Sequence, residues 1–414
     1  MVFTFEKFTY QRIIVLMIGL FYLSNDYFLW AIEVSPVLNV QLLGGQYFFQ
    51  AQESNLSGNV SLLAAPGIEV NDQWSFVPTF SASWRGTKSV QDLVGGGTLF
   101  QQTQDHSFNL KGIYTPFSNW IFKSGAGYRI QLLKETNDEK WGNGLFDFEK
   151  PSGNFEVEKV FSQDSSLRLG YDIYTIDFRN YSSLESQNRD LGRENAAART
   201  LNTFSHSPYL SGKWAFPFFY DQSARLDASY YYTFRNYTQQ KVVLLSGDLS
   251  GDLRKDNVNI LTTQLTFPFV FSKQFKLLAD IKNNFQFLSS NQNNYDAGKT
   301  KFNSNYYAYQ EISIGPQFSF ILGEKPYVFS LGFNYIRRNY SDRPVQDSAG
   351  TYGSDSIHVN EYYTNFGLSY PINKNFRAYL SGNLGWARSN MKYERSYRYN
   401  YETFAYLAGV IYDY

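Results

Sequence analysis

The chain contains no cysteine among its 414 residues, and this absence removes several kinds of chemistry at once. Without cysteine there are no disulfides, no thiolate metal ligands, no cysteine nucleophile and no lipoprotein attachment point. The absence also fits an oxidising compartment, where a free thiol would be a liability. The sequence therefore favours a function that needs neither a disulfide nor a reactive thiol.

A surplus of charge of one sign is also missing. The 37 Lys and Arg residues equal the 37 Asp and Glu residues in number, so the formal net charge is zero. Electrostatic capture of nucleic acid needs a basic surplus concentrated on one face. We therefore predict no nucleic-acid partner.

Long hydrophobic runs are lacking as well. With 18% charged residues and a mean hydropathy of −0.39, the chain is too polar for a helical membrane protein. The apolar run from Ile13 to Tyr22 follows Lys7 and Arg12 and is too short to span a bilayer as a helix. We predict a secretory signal peptide over residues 1–31, with an uncleaved inner-membrane anchor as the alternative, and a single mature domain over residues 32–414.

Aromatic residues, by contrast, are abundant. The chain has 34 Tyr, 37 Phe and 7 Trp, which together are 19% of its residues. Soluble domains seldom carry so much aromatic surface, whereas membrane barrels place these rings at both boundaries between water and lipid. The composition therefore indicates a protein that crosses a membrane with strands.

The order of residues supports this interpretation. From about residue 37 onward, segments that alternate apolar and polar residues are separated by connectors that are short and long in turn. Residues 74–84, for example, place four aromatic residues, a proline and an alanine on one face and serine or threonine on most of the other. Outer-membrane barrels alternate short periplasmic turns with long extracellular loops in this way. Counting these segments predicts sixteen strands, with fourteen as the alternative.

The end of the chain carries a resemblance to a known class. One face of the last eleven residues is continuously apolar and ends on an aromatic residue; it comprises Phe404, Tyr406, Ala408, Val410, Tyr412 and Tyr414. This segment resembles the C-terminal strand of bacterial outer-membrane β-barrels, which are porin-like proteins of the Gram-negative cell envelope. The resemblance implies an all-β, antiparallel transmembrane barrel in the outer membrane. It also implies that Tyr406, Ala408, Val410, Tyr412 and Tyr414 are an assembly signal for the barrel-assembly machinery.

The faces opposite the apolar ones carry charged residues of both signs. The side chains predicted to line the lumen are Lys111, Lys123, Arg129, Arg168, Asp172, Lys213, Arg225, Asp227, Arg235, Lys276, Asp280, Lys282, Glu311, Glu361 and Arg377, with Glu156 and Glu158 in the same phase. A barrel of fourteen to sixteen strands is too wide for its wall side chains to fill, so it holds water or inserted loops. We predict a passive diffusion channel for small hydrophilic solutes. The alternative is a plugged barrel with a structural or adhesive role through its loops.

Inward tyrosines allow a further alternative. Tyr174, Tyr231, Tyr307, Tyr309 and Tyr363 could form a stacking path for sugars, but such rings more often pack against loops near the rim of a barrel. The charge pattern and the tyrosines together leave the identity of the solute open.

An enzymatic function receives little support from the sequence. The only histidines are His106, His206 and His358. The serines adjacent to His106 and His206 are poor partners, because neighbouring residues on a strand point to opposite faces. A hydrolase would need a serine and an acid to meet one of these imidazoles across strands. We predict no enzyme, no cofactor and no metal site.

Two polar loops invite interpretation. Asp248, Asp252 and Asp256 lie four residues apart, which does not match the alternating spacing of a calcium loop. Residues 183–198 are predicted to form a solvated surface loop, with a short helix over residues 194–199.

Overall fold

The computed structural model describes residues 33–49, 52–53, 57–86, 102–134, 139–185, 195–219, 222–394 and 398–414. The predicted signal peptide lies outside these residues. In the described part of the chain, no helix is long and apolar enough to cross a bilayer.

All regular structure in this part of the chain is β-strand. The strands are β1 (Glu33–Ser35), β2 (Leu38–Phe49), β3 (Gln52–Glu53), β4 (Ser57–Ala64), β5 (Gly67–Asn71), β6 (Trp74–Arg85), β7 (Gln102–Phe117), β8 (Trp120–Lys134), β9 (Phe148–Ser162), β10 (Ser165–Ile176), β11 (Ser182–Glu185), β12 (Asn195–Ala198), β13 (Thr203–Phe219), β14 (Gln222–Val243), β15 (Leu249–Ser272), β16 (Phe275–Ser290), β17 (Asn294–Asp296), β18 (Lys301–Asn303), β19 (Tyr309–Leu322), β20 (Tyr327–Gln346), β21 (Tyr352–Pro371), β22 (Phe376–Ser389) and β23 (Tyr401–Asp413).

Sixteen of these strands form one closed antiparallel barrel. Its members in order are β2, β4, β6 to β10, β13 to β16 and β19 to β23, and β23 pairs with β2 to close the ring. Closure pairs every strand on both sides, so the barrel presents no free edge. The prediction of a sixteen-stranded antiparallel barrel is confirmed.

The closing seam depends on glycine. A Cβ atom on Gly45 would overlap the carbonyl oxygen of Tyr406, and one on Gly409 would overlap that of Leu42. Larger residues at these two positions would force the first and last strands apart. This close approach explains why the predicted first strand is irregular through Gly44 and Gly45.

The first hairpin of the barrel is interrupted by proline. β1 and β5 pair with each other and continue the lines of β2 and β4 beyond Pro36 and Pro66. Pro66 therefore lies at a break within a strand, because proline has no N–H to donate to the ladder. The short turn that joins β5 to β6 lies at Asp72 and Gln73. There the Asn71 side chain accepts a hydrogen bond from the backbone N–H of Gln73 at 2.9 Å.

The two ends of the barrel differ in their connectors. One end has short turns, such as 118–119, 163–164 and 273–274, together with the start of β2 and the end of β23, where the Tyr414 N–H donates to the Leu38 carbonyl at 2.8 Å. The other end has the long segments 177–202, 291–308 and 390–400. We call these the short-turn end and the long-loop end.

Two loop assignments made from the sequence are corrected. Residues 238–256 and 339–356, predicted as loops, mostly continue the hairpins β14–β15 and β20–β21 beyond the apolar band through bulged ladders. Residues 195–198 form β12, paired with β11, where a short helix was predicted. These errors have one cause. A hairpin that projects into water has no apolar face, so its sequence does not alternate between apolar and polar residues.

The outer face carries an apolar band with aromatic borders. Leu110, Leu169, Leu210, Leu261 and Leu380 are exposed along the middle of their strands. Exposed rings border them, with Trp74, Phe117, Trp120, Phe271, Tyr327 and Tyr370 toward the short turns and Tyr128, Tyr171 and Phe234 toward the long loops. Such a band, with rings at both borders, is the surface expected of a membrane-spanning barrel.

Candidate functional site: the lumen

The phase of the strands places all fifteen predicted lumen residues on the inward face. On β10, for example, Leu169, Tyr171 and Ile173 are exposed on the outer face, so Arg168 and Asp172 point inward. Cross-strand pairs carry this phase round the barrel; Asp172 pairs with Ser207, and the Ser207 hydroxyl contacts that of Thr233 at 2.7 Å.

The inward side chains divide the barrel into two halves of eight strands each. The charged half comprises β7 to β10 and β13 to β16, and the neutral half comprises β19 to β23 with β2, β4 and β6. In the charged half the inward cations are Lys111, Lys123, Arg129, Lys150, Arg168, Lys213, Arg225, Arg235, Lys276 and Lys282, and the inward carboxylates below the rim are Asp105, Glu156, Glu158, Asp172, Asp227 and Asp280. Cations therefore outnumber carboxylates there.

Lys123 is the centre of a buried ion cluster in the charged half. Its Nζ lies 2.6 Å from Glu156 Oε1 and 2.6 Å from Glu158 Oε2. The Tyr209 hydroxyl donates to Glu156 at 2.7 Å, and Arg168 lies 3.8 Å from Glu158. These side chains are mostly shielded from water, so their mutual attraction is strong and their separation would be costly.

Other predicted lumen residues pair along or across strands. Arg129 forms a bidentate contact with Asp105, in which Nε lies 2.9 Å from Oδ1. Arg225 pairs with Asp227 at 2.6 Å and remains half exposed. Near the short turns, Arg377 lies 2.7 Å from Asp413. The structure therefore brings many of the predicted charges together as local pairs on the wall.

Five lysines of the charged half differ from these pairs. Within the described part of the chain, Lys111, Lys150, Lys213, Lys276 and Lys282 have no carboxylate at ion-pair distance. Asp280, which lies near Lys276 and Lys282, instead accepts hydrogen bonds from Thr266 at 2.5 Å and Gln264 at 3.0 Å. The five ammonium groups leave positive charge on this wall.

The long-loop end of the lumen is narrowed by arginines stacked on tyrosines, which sequence reasoning missed. Arg254 lies between the rings of Tyr237 at 4.3 Å and Tyr307 at 4.0 Å, and it forms a bidentate ion pair with Asp256. This arrangement combines cation–π contacts with a buried ion pair. Tyr307 belongs to the loop 291–308, so the stacking ties that loop to the wall.

A second arginine joins two loops to the wall. Arg343 stacks on Tyr306 at 4.3 Å, and its guanidinium donates to the Tyr399 hydroxyl at 2.8 Å. Tyr306 and Tyr399 come from the loops 291–308 and 390–400. Burial raises the pKa of the Tyr306 hydroxyl, so the ring stays neutral against its arginine. We call the Arg254 and Arg343 stacks together the rim collar.

Two of the predicted charges, Glu311 and Glu361, lie beside this rim collar. Glu311 pairs with Arg338 at 2.6 Å, and Arg338 lies 4.9 Å from the centre of the Tyr309 ring. Glu361 accepts a hydrogen bond from Tyr363 at 2.8 Å. Three of the five tyrosines considered for a sugar path, at 307, 309 and 363, therefore pack at the rim.

An apolar cluster fills the adjoining part of the long-loop end. It consists of Tyr47, Phe49, Ile357, Val359, Ala387, Met391, Tyr399 and Tyr401. These side chains lie on the neutral half of the barrel and on the loop 390–400. Rim collar and apolar cluster together narrow the long-loop end, whereas toward the short turns exposed charges such as Arg225 occur together with the buried cluster of Lys123.

The neutral half has a different inward surface below this rim. Its middle rows consist of serine, asparagine, glutamine, glycine and a few apolar residues, for instance Ser330, Asn365, Ser381 and Asn383. Among the described residues, no inward Asp, Glu, Lys or Arg lies in the middle of this half; Arg85, Arg377 and Asp413 lie at its ends, and Glu311, Arg338 and Glu361 lie at the rim. In its middle rows the lumen therefore presents charge on one side only.

The histidines lie on the outer face of the barrel. His206 alternates with Ser205 and Ser207, and its Nδ1 lies 2.6 Å from the hydroxyl of the outward Tyr171. His106 Nε2 lies 3.5 Å from Gln104 Oε1. His358 shares the outward phase of Tyr362. The imidazoles of His206 and His106 thus contact a phenol and an amide rather than a serine and an acid.

The spaced aspartates of the 248–256 loop do not form a shared site. Asp256 is taken up by Arg254, and Asp248 accepts a hydrogen bond from Ser246 at 2.8 Å. In the described part of the chain, no group of three or more histidines and carboxylates could hold a metal ion.

Comparison with known proteins adds neighbours of the same general architecture. No family model and no curated protein matches this chain. The solved structure of OccAB1 from Acinetobacter baumannii is 10% identical, covers 92% of this chain and 96% of its own, and has a TM-score of 0.48. A bacterial polysaccharide outer membrane secretin is 12% identical over 92% of this chain and 97% of its own, with a TM-score of 0.43. OmpT of Vibrio cholerae is 11% identical over 93% and 98%, with a TM-score of 0.43. These TM-scores are below 0.5, so the barrel assignment rests on the strand pairing of this chain itself.

Proposed function

We propose that this protein is an outer-membrane channel that admits small hydrophilic solutes by passive diffusion and prefers anions. One observation carries the proposal: a sixteen-stranded closed barrel has an apolar outer face and an inward wall of polar and charged side chains, five of them lysines without an ion-pair partner in the described residues. Barrels of this size enclose more space than wall side chains can fill.

The outer face supports location in the outer membrane. A closed barrel satisfies all backbone hydrogen bonds within the sheet, which the hydrocarbon interior of a membrane requires. The leucines of the outer face would contact acyl chains, and the bordering rings would lie at the headgroups. By analogy with bacterial barrels, the short turns would face the periplasm. The outward residues Tyr406, Ala408, Val410, Tyr412 and Tyr414 of the last strand are proposed to be read by the barrel-assembly machinery.

The inward face supports solute passage with a preference for anions. Cations outnumber carboxylates in the charged half, and some of the charges near the short turns are solvent-exposed; the Arg225 side chain, for example, is 53% exposed. Unpaired ammonium groups raise the local concentration of anions, since the low-dielectric wall focuses their field. The passage would then be widest toward the short turns and narrowest at the rim collar.

Single-channel conductance of the refolded protein in a planar bilayer tests the proposal. We expect steady ohmic steps, whose size changes with Arg225→Ala or Lys276→Ala. In a KCl gradient the reversal potential should indicate chloride preference. Lys159→Ala is the matched control, because Lys159 points outward and stacks on Trp120 at 4.7 Å; it should leave the conductance unchanged. Absence of conductance from protein shown to be folded would contradict the proposal.

A plugged barrel with a structural or adhesive role is the second candidate. The rim collar and the adjoining apolar cluster favour it, because they bind the loops 291–308 and 390–400 to the long-loop end. This candidate predicts that the folded protein conducts only after the rim collar is loosened, for example in Tyr307→Leu. A hydrolase is the least favoured candidate; replacing His106, His206 and His358 in turn should change no property of the lumen.

A further inference from the structure

The middle of the neutral half contains a recess in the lumen wall. Its volume is about 350 Å³, within the range of ~300–1,000 Å³ that is usual for small-molecule sites. The polar side chains that line it on the inward face are Gln317, Ser330, Asn365, Tyr379, Ser381 and Asn383. None of the predicted lumen residues and none of the five inward tyrosines considered from the sequence contributes to it.

The strand register arranges these side chains in two rows. Gln317 pairs with Gly332, Gly332 with Asn365, and Asn365 with Asn383, which gives a row of amides across four strands. The next row toward the short turns contains Ser330 and Ser381, on either side of Gly367. Neighbouring strands are ~4.8 Å apart, so both rows lie within reach of one small molecule.

Glycines keep the recess open. A side chain at Gly332 would fill the gap in the amide row, where the nearest heavy atom to a Cβ would be 3.8 Å away on Gln317. A Cβ on Gly367 would lie only 2.6 Å from Ser330 Oγ and 3.4 Å from the Tyr379 hydroxyl. The second glycine thus lets a serine and a tyrosine approach the same point on the wall.

The chemistry of the lining selects a class of ligand. Amide and hydroxyl groups each donate and accept hydrogen bonds, and so do the hydroxyls of a sugar. No ionisable carboxylate, ammonium or guanidinium group lines the recess, so a charged ligand would find no opposite charge there. The ring of Tyr379 offers an apolar surface for the C–H face of a pyranose. The side-chain amide of Asn383 donates a hydrogen bond to the side-chain carbonyl of Asn365. This bond fixes the orientation of the two amides relative to each other.

We propose that this recess binds a neutral saccharide ring as it passes through the lumen. The inference rests on the proposed function, because a solute must enter the lumen to reach the recess. It deepens that function by naming a substrate class, the neutral sugars. Such a sugar would hydrogen-bond to the amide row, with the charged half on the opposite side of the lumen. We expect this binding to be weak, since a channel must also release its solute.

Calorimetric titration of the folded protein in detergent micelles with maltose tests the proposal without any need for ion flow. We expect saturable binding that Asn365→Leu and Asn383→Leu each weaken about five- to tenfold, the loss expected for a net hydrogen bond. Gln41→Leu is the matched control, because Gln41 is an inward amide of the neutral half outside the recess. It should leave the affinity unchanged.

A second variant keeps the test decisive if a leucine variant fails to fold. Gly332→Val fills the recess from the backbone without removing any hydrogen-bonding group, and it should also weaken maltose binding. The proposal is overturned if the folded wild-type protein does not bind maltose, or if the recess variants bind it as well as the Gln41→Leu control does. If the protein conducts ions but does not bind maltose, only the saccharide inference is refuted. If it binds maltose but does not conduct ions, only the proposed channel function is refuted.

Discussion

The charged and neutral halves of the barrel share one backbone and differ in how their inward side chains are satisfied. In the charged half, carboxylates such as Glu156 and Glu158 lie against a lysine and a tyrosine, because a shielded charge needs a partner. In the neutral half, glycines and serines leave space at the wall. A single lumen can therefore have an electric field on one side and uncharged hydrogen-bonding groups on the other.

Reversing the unpaired charge of the charged half should have the largest effect. We expect the triple variant Lys213→Glu, Lys276→Glu and Lys282→Glu to convert anion preference into cation preference, with a change in the permeability ratio on the order of tenfold. Reversal potentials in a KCl gradient measure this change. Lys159→Glu, which adds the same kind of charge on the outer face, is the control. An unchanged sign of the reversal potential in the triple variant would show that these lysines do not face the conduction path.

Breaking the buried ion cluster should produce the largest effect on stability. Lys123→Ala leaves Glu156 and Glu158 together without their cation, and we expect the free energy of unfolding to fall by about 3–5 kcal/mol. Urea unfolding in micelles measures it. Lys213→Ala, at a lysine without an ion pair in the described residues, should cost less than about 1 kcal/mol. Adding Glu156→Gln and Glu158→Gln to Lys123→Ala should restore much of the loss, and a failure to do so would refute the electrostatic explanation.

The rim collar, where the two halves meet, should respond more weakly. Tyr307→Leu removes one of the two rings that stack on Arg254, a contact that contributes about 1–2 kcal/mol when shielded from water. We expect the loop 291–308 to be cleaved about tenfold faster by a protease while the barrel stays folded. Tyr307→Phe keeps the ring and should behave like the wild type. Equal cleavage rates for the leucine and phenylalanine variants would mean that the stacking does not hold the loop.

The alternation of the sequence was sufficient to predict the barrel and the phase of its inward residues. A lipid-facing strand must place apolar residues at every second position, so positions such as Arg168 and Asp172 are predicted to point inward by elimination. The assignment works because the two faces of these strands meet different solvents.

The same physics explains what the sequence left hidden. The stacking of Arg254 on Tyr237 and Tyr307 joins a strand to a distant loop in a region without an apolar face, so no periodic signal marks it. The recess of Gln317, Asn365 and Asn383 was missed for another reason: each residue looks like an ordinary polar position, and only the register of four strands brings them into one row. The signal peptide over residues 1–31 stays a prediction.

The smallest effect is expected at the rim of the charged half, where Asp147 joins the loop 139–147 to β8. Its carboxylate accepts hydrogen bonds from the backbone N–H groups of Leu133 at 2.6 Å and Gly144 at 3.1 Å, yet burial outweighs them and raises the pKa of the carboxyl. A raised pKa means that the folded loop binds the proton more tightly than the unfolded loop does. The loop should therefore be most stable below the ordinary Asp pKa of about 3.9 and lose stability as the pH rises through the raised folded value. Hydrogen exchange at Leu133 and Gly144, corrected for the intrinsic rate, should show higher opening free energies at pH 4 than at pH 7, and Asp147→Asn should flatten this dependence. A dependence of the opposite sign would mean that the two N–H donors, rather than burial, control the carboxyl.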